Sequence, residues 1–140
     1  MFSFKSALEN SAYVSLMQYL EALVMCEALK EFEYVKDLDI NIKWPNDVYI
    51  DKKHKICGIL CQSALSGGIF DVTSGIGVNI SNRKPTVCIE EKVREVTGRK
   101  VRISRYVLFL FHTNSFPELS FSESICVFGI GASHDLVERG

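Results

Sequence analysis

Residues Trp44-Pro45-Asn46-Asp47 interrupt the strand-like patterning of the chain, and no other feature restricts its fold as strongly. Before them, Leu38, Ile40 and Ile42 alternate with Asp39, Asn41 and Lys43, the period-two pattern of a strand with one buried face. A proline disfavours the helical region for the residue before it, and Asn and Asp side chains stabilise turns by bonding nearby backbone. The strand therefore delivers Lys43 to its far end, and the chain bends sharply just after it. Beyond the bend, Val48-Tyr49-Ile50, the polar Asp51-Lys52-Lys53-His54 and then Ile56 to Leu60 read as a hairpin. A second reversal at Ser66-Gly67-Gly68 leads into Ile69 to Ile80.

Helices are expected on either side of these strands. Leu16, Tyr19, Leu20 and Leu23 recur at three- and four-residue spacing while Gln18 and Glu21 point away, which predicts a helix from Ser15 to Phe32. Its most apolar stretch, Leu16 to Leu29, is interrupted by Gln18, Glu21 and Glu27 and falls short of the roughly 20 residues needed to span a bilayer. Pro85-Thr86 opens a loop before a short helix around Glu90 to Val96, with Gly98 as its C-terminal cap. An apolar content of 47% with 24% charged residues suits one domain with a buried core, and the expected fold class is α+β. After Lys100 the pattern changes: Val107 to Phe111 is an apolar burst, and Ser115 to Ser124 has no clear periodicity.

Sixteen basic and seventeen acidic side chains leave a formal charge of -1, so there is no overall field to gather nucleic acid or an acidic membrane. Any phosphate binding must be local. No basic start followed by an apolar run and a small-residue cleavage site is visible near Met1. Five cysteines, at 26, 57, 61, 88 and 126, are an odd number without C-x-x-C spacing, which fits reduced thiols and a cytoplasmic setting.

Several residues are candidates for chemistry. The hairpin could fold Lys43, ending one strand, and Lys55, starting another, towards one polar cleft near the Trp44 to Asp47 turn. Taken alone, two such lysines would be solvated strand-edge charges, and Asn46-Asp47 would be turn formers. Asp47 could also hold or help deprotonate an amine whose ordinary pKa, near 10.4, makes it a poor nucleophile at neutral pH. Gly75-Ile76-Gly77 lies in or just after a strand, where glycine costs stability unless a flat base or a ribose approaches the backbone. It is not a dinucleotide fingerprint, since no third glycine follows at the required spacing. Cys57 and Cys61 share strand parity with Ile59 and read as packing residues without a metal site, and His54, His112 and His134 read as surface residues.

Together, Lys43-Trp44-Pro45-Asn46-Asp47, Lys55-x-x-Gly58-Ile59-Leu60, Gly75-x-Gly77-x-Asn79 and Asn82-x-x-Pro85-Thr86 stand in the order and spacing of biotin-protein ligases. Over Gln18 to Val96 the chain most resembles the eukaryotic holocarboxylase synthetases. The resemblance implies a fold related to class II aminoacyl-tRNA synthetases, a mixed, mainly antiparallel sheet with flanking helices, here incomplete. It also implies a two-step reaction. Biotin and MgATP give biotinyl-adenylate, and biotin then passes to a lysine of a carboxylase carrier domain. Lys43, Lys55 and Asp47 would be catalytic, the lysines at the acyl-phosphate and Asp47 at the acceptor amine or a neighbouring arginine. Asn46 would face the phosphate, Gly58 would present backbone to biotin, and Gly75, Gly77 and Asn79 would lie against ATP. Trp44 would pack beneath the site and order the turn. No protein ligand for a metal is implied.

In that family a Ser/Thr-rich biotin-contacting stretch and a Gly/Arg-rich loop precede this region, and neither stands between Met1 and Lys43. The expected organisation is a partial catalytic domain over residues 1–100 and a divergent tail over 101–140. Without donors from that loop the transition-state charge is less stabilised and the adenylate meets water, so severely reduced or absent activity is expected. The alternative is a non-catalytic remnant that binds carriers or a full-length ligase.

Overall fold

Alternation of inward apolar and outward polar side chains recurs along the strands, and it assembles one sheet whose apolar face is covered by the helices. The computed structural model describes residues 1–82 and 85–104. Its elements are β1 (Phe2–Leu8), α1 (Ser11–Lys30), β2 (Ile40–Lys43), β3 (Asp47–Ile50), β4 (His54–Ser66), β5 (Ile69–Val78) and α2 (Ile89–Thr97). The strands lie in the order β1-β5-β4-β3-β2, and each neighbouring pair is antiparallel. The fold is α+β, with the hairpins placed as the turn residues require.

Each reversal has a local cause. The Trp44–Pro45 peptide at the β2–β3 turn is cis. Asp51 and Lys52 adopt left-handed backbone between β3 and β4, with φ of 55° and 56°. Gly67 and Gly68, with φ of 58° and 84°, reverse the chain between β4 and β5, where residues with a Cβ would be strained. α2 ends at Gly98 in the left-handed conformation, as expected of a C-terminal cap.

One core lies between the sheet and the helices. Ala22, Met25, Cys26, Ala28 and Leu29 of α1 and Ile89 and Val93 of α2 join Phe4, Val48, Ile50, Ile56, Ile59 and Ile76 of the strands. The opposite face of the sheet carries no helix among the described residues.

The helix reading needs two corrections. α1 begins at Ser11, earlier than the expected Ser15, because the Asn10 side chain accepts the Ala12 N–H at 2.9 Å and caps the first turn. Its buried stripe is also the reverse of the one expected. Leu16 and Leu23 are 49% and 42% exposed, whereas Met17, Glu21, Ala22, Met25 and Leu29 are buried. The spacing of Met17, Glu21, Met25 and Leu29 is as helical as that of the leucines, but a carboxylate in the stripe disguises it. β1 was not expected at all; its inward row of Phe2, Phe4 and Ser6 contains a serine that weakens the alternation. Expectations for the tail beyond Ser104, including Val107 to Phe111, Cys126, His112 and His134, lie outside the described residues.

Candidate active site

Directly opposed residues of antiparallel strands project from the same face. Lys43 opposes Asp47, Asp47 opposes Gly58 and Gly58 opposes Gly77, so these residues form one transverse row on the uncovered face of β2, β3, β4 and β5. At ordinary strand spacing the row spans about 14 Å. In a neighbouring row, Leu60 opposes Gly75, which opposes Ser3.

Gly58, Gly75 and Gly77 leave this part of the sheet as bare backbone. A Cβ on Gly77 would meet nothing nearer than the Gly58 carbonyl at 3.9 Å, and one on Gly75 nothing nearer than the Leu60 carbonyl at 3.9 Å. Among the described residues, none packs closely enough to require glycine at either position. What the glycines provide is a flat floor on which a planar group can rest against main chain.

Gly58 differs. A Cβ there would lie 2.9 Å from Lys55 Cε and 3.0 Å from its Nζ, because the Lys55 side chain runs across Gly58 to reach Asp47. Lys55 Nζ is 2.7 Å from Asp47 Oδ1. Residues 55 and 58 are an odd number apart and would face opposite sides of a regular strand. The register shift beside Val48 and Tyr49 pairs Val48 with Cys57 but Tyr49 with Lys55, leaving Ile56 as the extra residue of a bulge. Ile56 and Cys57 consequently both enter the core, and Lys55 and Gly58 share the outer face.

Lys43 and Lys55 thus stand on the two strands that adjoin Asp47, and of the two it is Lys55 that reaches the Asp47 carboxylate. Lys43 Nζ stands over the Tyr49 ring, 5.4 Å from its centroid. Tyr49 is two residues beyond Asp47 and shares its face, a role that the alternation with Val48 and Ile50 could have indicated.

The two asparagines make specific backbone contacts. Asn46 Nδ2 donates to the Ile59 carbonyl at 2.8 Å, and the Ile59 N–H returns a bond to the Asn46 carbonyl at 3.0 Å. This double link holds the turn against β4. The Asn79 N–H donates to the Ile56 carbonyl at 2.7 Å and its Nδ2 to the Lys55 carbonyl at 3.3 Å. Its Oδ1 accepts from Asn82 at 3.1 Å, and its carbonyl accepts the Ile89 N–H at 2.9 Å. Asn79 therefore joins the strand carrying Lys55 to the start of α2. Trp44 does not pack beneath the site as expected: it is 76% exposed, because the turn projects its ring beyond the end of the short β2–β3 pair.

The remaining polar groups lie elsewhere. Burial pushes the Cys57 and Cys61 thiols up to about 12 and Cys26 to about 11, so these cysteines are not thiolate nucleophiles near neutral pH. A depression of about 290 Å³ lined by Asn82, Cys88, Arg94 and Arg102 lies beside α2 and contains none of the glycine-face residues. Among the described residues, no three His, Cys, Asp or Glu side chains gather as a metal site. No described helix is long and apolar enough to cross a membrane.

A family model described as the biotin/lipoate A/B protein ligase family matches residues 1–79. Biotin–protein ligase 2 of Arabidopsis thaliana is 39% identical over 99 residues, which cover 69% of this chain and 30% of that protein. The biotin–protein ligase of Homo sapiens is 34% identical over 82 residues, covering 59% of this chain and 11% of its own length. Among solved structures, the apo biotin protein ligase from Aquifex aeolicus is 27% identical, with a TM-score of 0.54, covering 83% of this chain and 51% of that one. The Aquifex ligase in complex with biotin and ATP superposes with a TM-score of 0.52 at 27% identity, covering 83% of this chain and 48% of that one. The chain thus spans less than a third of these plant and human relatives and about half of the bacterial protein. With residues 1–79 matched and the same fold found in solved ligases, the chain belongs to the biotin/lipoate A/B protein ligase family.

Proposed function

We propose that this chain supplies the substrate-bearing sheet face of a biotin-protein ligase. On it, ATP activates biotin to biotinyl-adenylate, and biotin then passes to a lysine of a carboxylase carrier domain. The observation that carries this reading is the row Lys43–Asp47–Gly58–Gly77 with the Lys55 side chain reaching across Gly58 to Asp47, which sets two cations and a carboxylate beside bare backbone. The Aquifex ligase solved with biotin and ATP supports the choice of small molecules.

In the first step a biotin carboxylate oxygen bonds to the α-phosphorus of ATP while the bond to the bridging oxygen breaks, and pyrophosphate leaves with the electron pair. Negative charge develops on the phosphate oxygens, and Lys43 and Lys55 would be the fixed cations that stabilise it. The Gly75 and Gly77 floor would carry the nucleotide, with Asn79 at its edge, Asn46 on the phosphate side and Gly58 offering backbone to biotin. Mg²⁺ would ride on the ATP phosphates, since the described carboxylates form no cluster to hold it.

In the second step the carrier lysine nitrogen attacks the acyl carbon and AMP leaves with the electron pair of the broken acyl–oxygen bond. The amine must lose a proton, and Asp47, the carboxylate of this row, would hold the ammonium and ease that loss. The catalytic part is assigned to residues 1–100. The cytoplasm is the proposed setting, a reducing compartment in which cysteines such as Cys26, Cys57, Cys61 and Cys88 stay reduced.

Transfer of labelled biotin to a carrier domain, with MgATP present, tests the proposal. Label on the acceptor lysine is expected. Carrier bound by the chain but never labelled would favour a non-catalytic, carrier-binding role.

A further inference from the structure

We propose that the Lys55–Asp47 ion pair is a displaceable latch. Lys55 masks the Asp47 carboxylate until an anionic acyl-phosphate draws the ammonium away, so that Asp47 receives the acceptor amine only after biotin is activated. The inference rests on the functional reading above and adds an order of events to it.

Three features support the latch. Lys55 Nζ occupies Asp47 Oδ1 at 2.7 Å, so the carboxylate assigned to the acceptor is already engaged by a cation. The pair is weak enough to exchange. Side-chain exposures of 48% for Lys55 and 24% for Asp47 place it among solvent-screened ion pairs, which shift an equilibrium by about fivefold at most. Finally, the Lys55 path lies over Gly58, whose strand neighbour on the same face is Gly77. An ammonium leaving Asp47 therefore has open backbone on the other side of Gly58, where the acyl-phosphate would rest.

Charge accounting gives the order. Lys43, Asp47 and Lys55 together carry one net positive charge. An acceptor ammonium arriving alone raises that to two along this one row of the sheet, which like-charge repulsion opposes. The single negative charge of the adenylate phosphate returns the site to its starting charge and gives Lys55 a new partner. Acceptor binding and adenylate binding are then coupled, and by linkage each strengthens the other equally.

The test measures carrier-domain affinity for the chain by calorimetry, with and without a phosphonate analogue of biotinyl-adenylate that retains the negative charge. The analogue should tighten carrier binding about fivefold, the most that a screened pair can supply. A carrier with its acceptor lysine changed to Met should show no such gain. In Lys55→Met the carrier should bind more tightly without the analogue, and the gain should shrink below about twofold. Gly58→Ala adds a Cβ 2.9 Å from Lys55 Cε and displaces the side chain without altering any charge. It should behave like Lys55→Met, which separates unmasking from a change in net charge. Lys55→Met removes a half-exposed side chain and serves alone if Gly58→Ala does not fold. Binding of the analogue with no change in carrier affinity overturns the latch alone. Failure of the analogue to bind overturns the ligase reading and the latch together.

Discussion

Ser74 Oγ, on β5, donates a 2.6 Å hydrogen bond to Glu21 Oε1 in the middle of α1, and both side chains are fully buried. Cys61 Sγ lies 3.6 Å from the other carboxylate oxygen. Burial disfavours the charged carboxylate, and the bonds from Ser74 and Cys61 only partly offset it, so the Glu21 carboxyl is pushed up from 4.5 to about 7.

That shift gives a signed pH dependence. Between the ordinary and the raised value, the folded chain keeps a proton that the unfolded chain releases. Stability is therefore greatest below about pH 4.5 as far as this group is concerned, declines as pH rises to about 7, and is level beyond. The decline should total about 3 kcal/mol. Urea unfolding across this range should show the slope in the wild type and lose it in Glu21→Gln, which stays neutral at every pH.

Asn46 ties the turn to β4 through its side chain and its carbonyl. Asn46→Ala removes the side-chain bond and leaves the part-buried Ile59 carbonyl without that donor, at a cost of about 1–3 kcal/mol. Asn46→Asp should cost more, since a carboxylate would then face the carbonyl. Urea midpoints of the two variants at constant m-value check the order.

Lys43 is held by the face of Tyr49. A cation–π contact at an exposed site contributes about 0.5–1 kcal/mol, so Tyr49→Leu should lower kcat/KM for adenylation about two- to fivefold, while Tyr49→Phe, which keeps the ring, should stay near wild type. Steady-state pyrophosphate release distinguishes the two. Equal losses in both variants would mean that the tyrosine hydroxyl, and not the ring face, matters.

Much of this architecture can be read along the chain where local chemistry dominates. Pro45, Asn46, Gly67, Gly68 and Gly98 mark turns and a cap because their backbone preferences act without help from distant residues. The placing of Lys43 and Lys55 on the strands either side of Asp47 was also legible, since one turn and one hairpin set that order. Three features were set by pairing and side-chain contact rather than by local preference. Glu21 enters the core because Ser74 and Cys61 bond it there, so hydrophobicity alone assigned α1 the wrong face. The bulge at Ile56 is set by pairing with β3, yet it decides that Lys55 and Gly58 share a face. Lys55 crosses Gly58 to reach Asp47, a side-chain path that spacing does not reveal.

Biotin-dependent exchange of labelled pyrophosphate into ATP reports the first step directly and requires no carrier. The account predicts weak exchange, severely reduced yet above background, in the wild-type chain and its disappearance in Lys43→Ala, since removing a charged group from transition-state stabilisation costs about 100-fold or more. A folded wild-type chain that shows no biotin-dependent exchange, or a Lys43→Ala chain that exchanges as well as wild type, would contradict it.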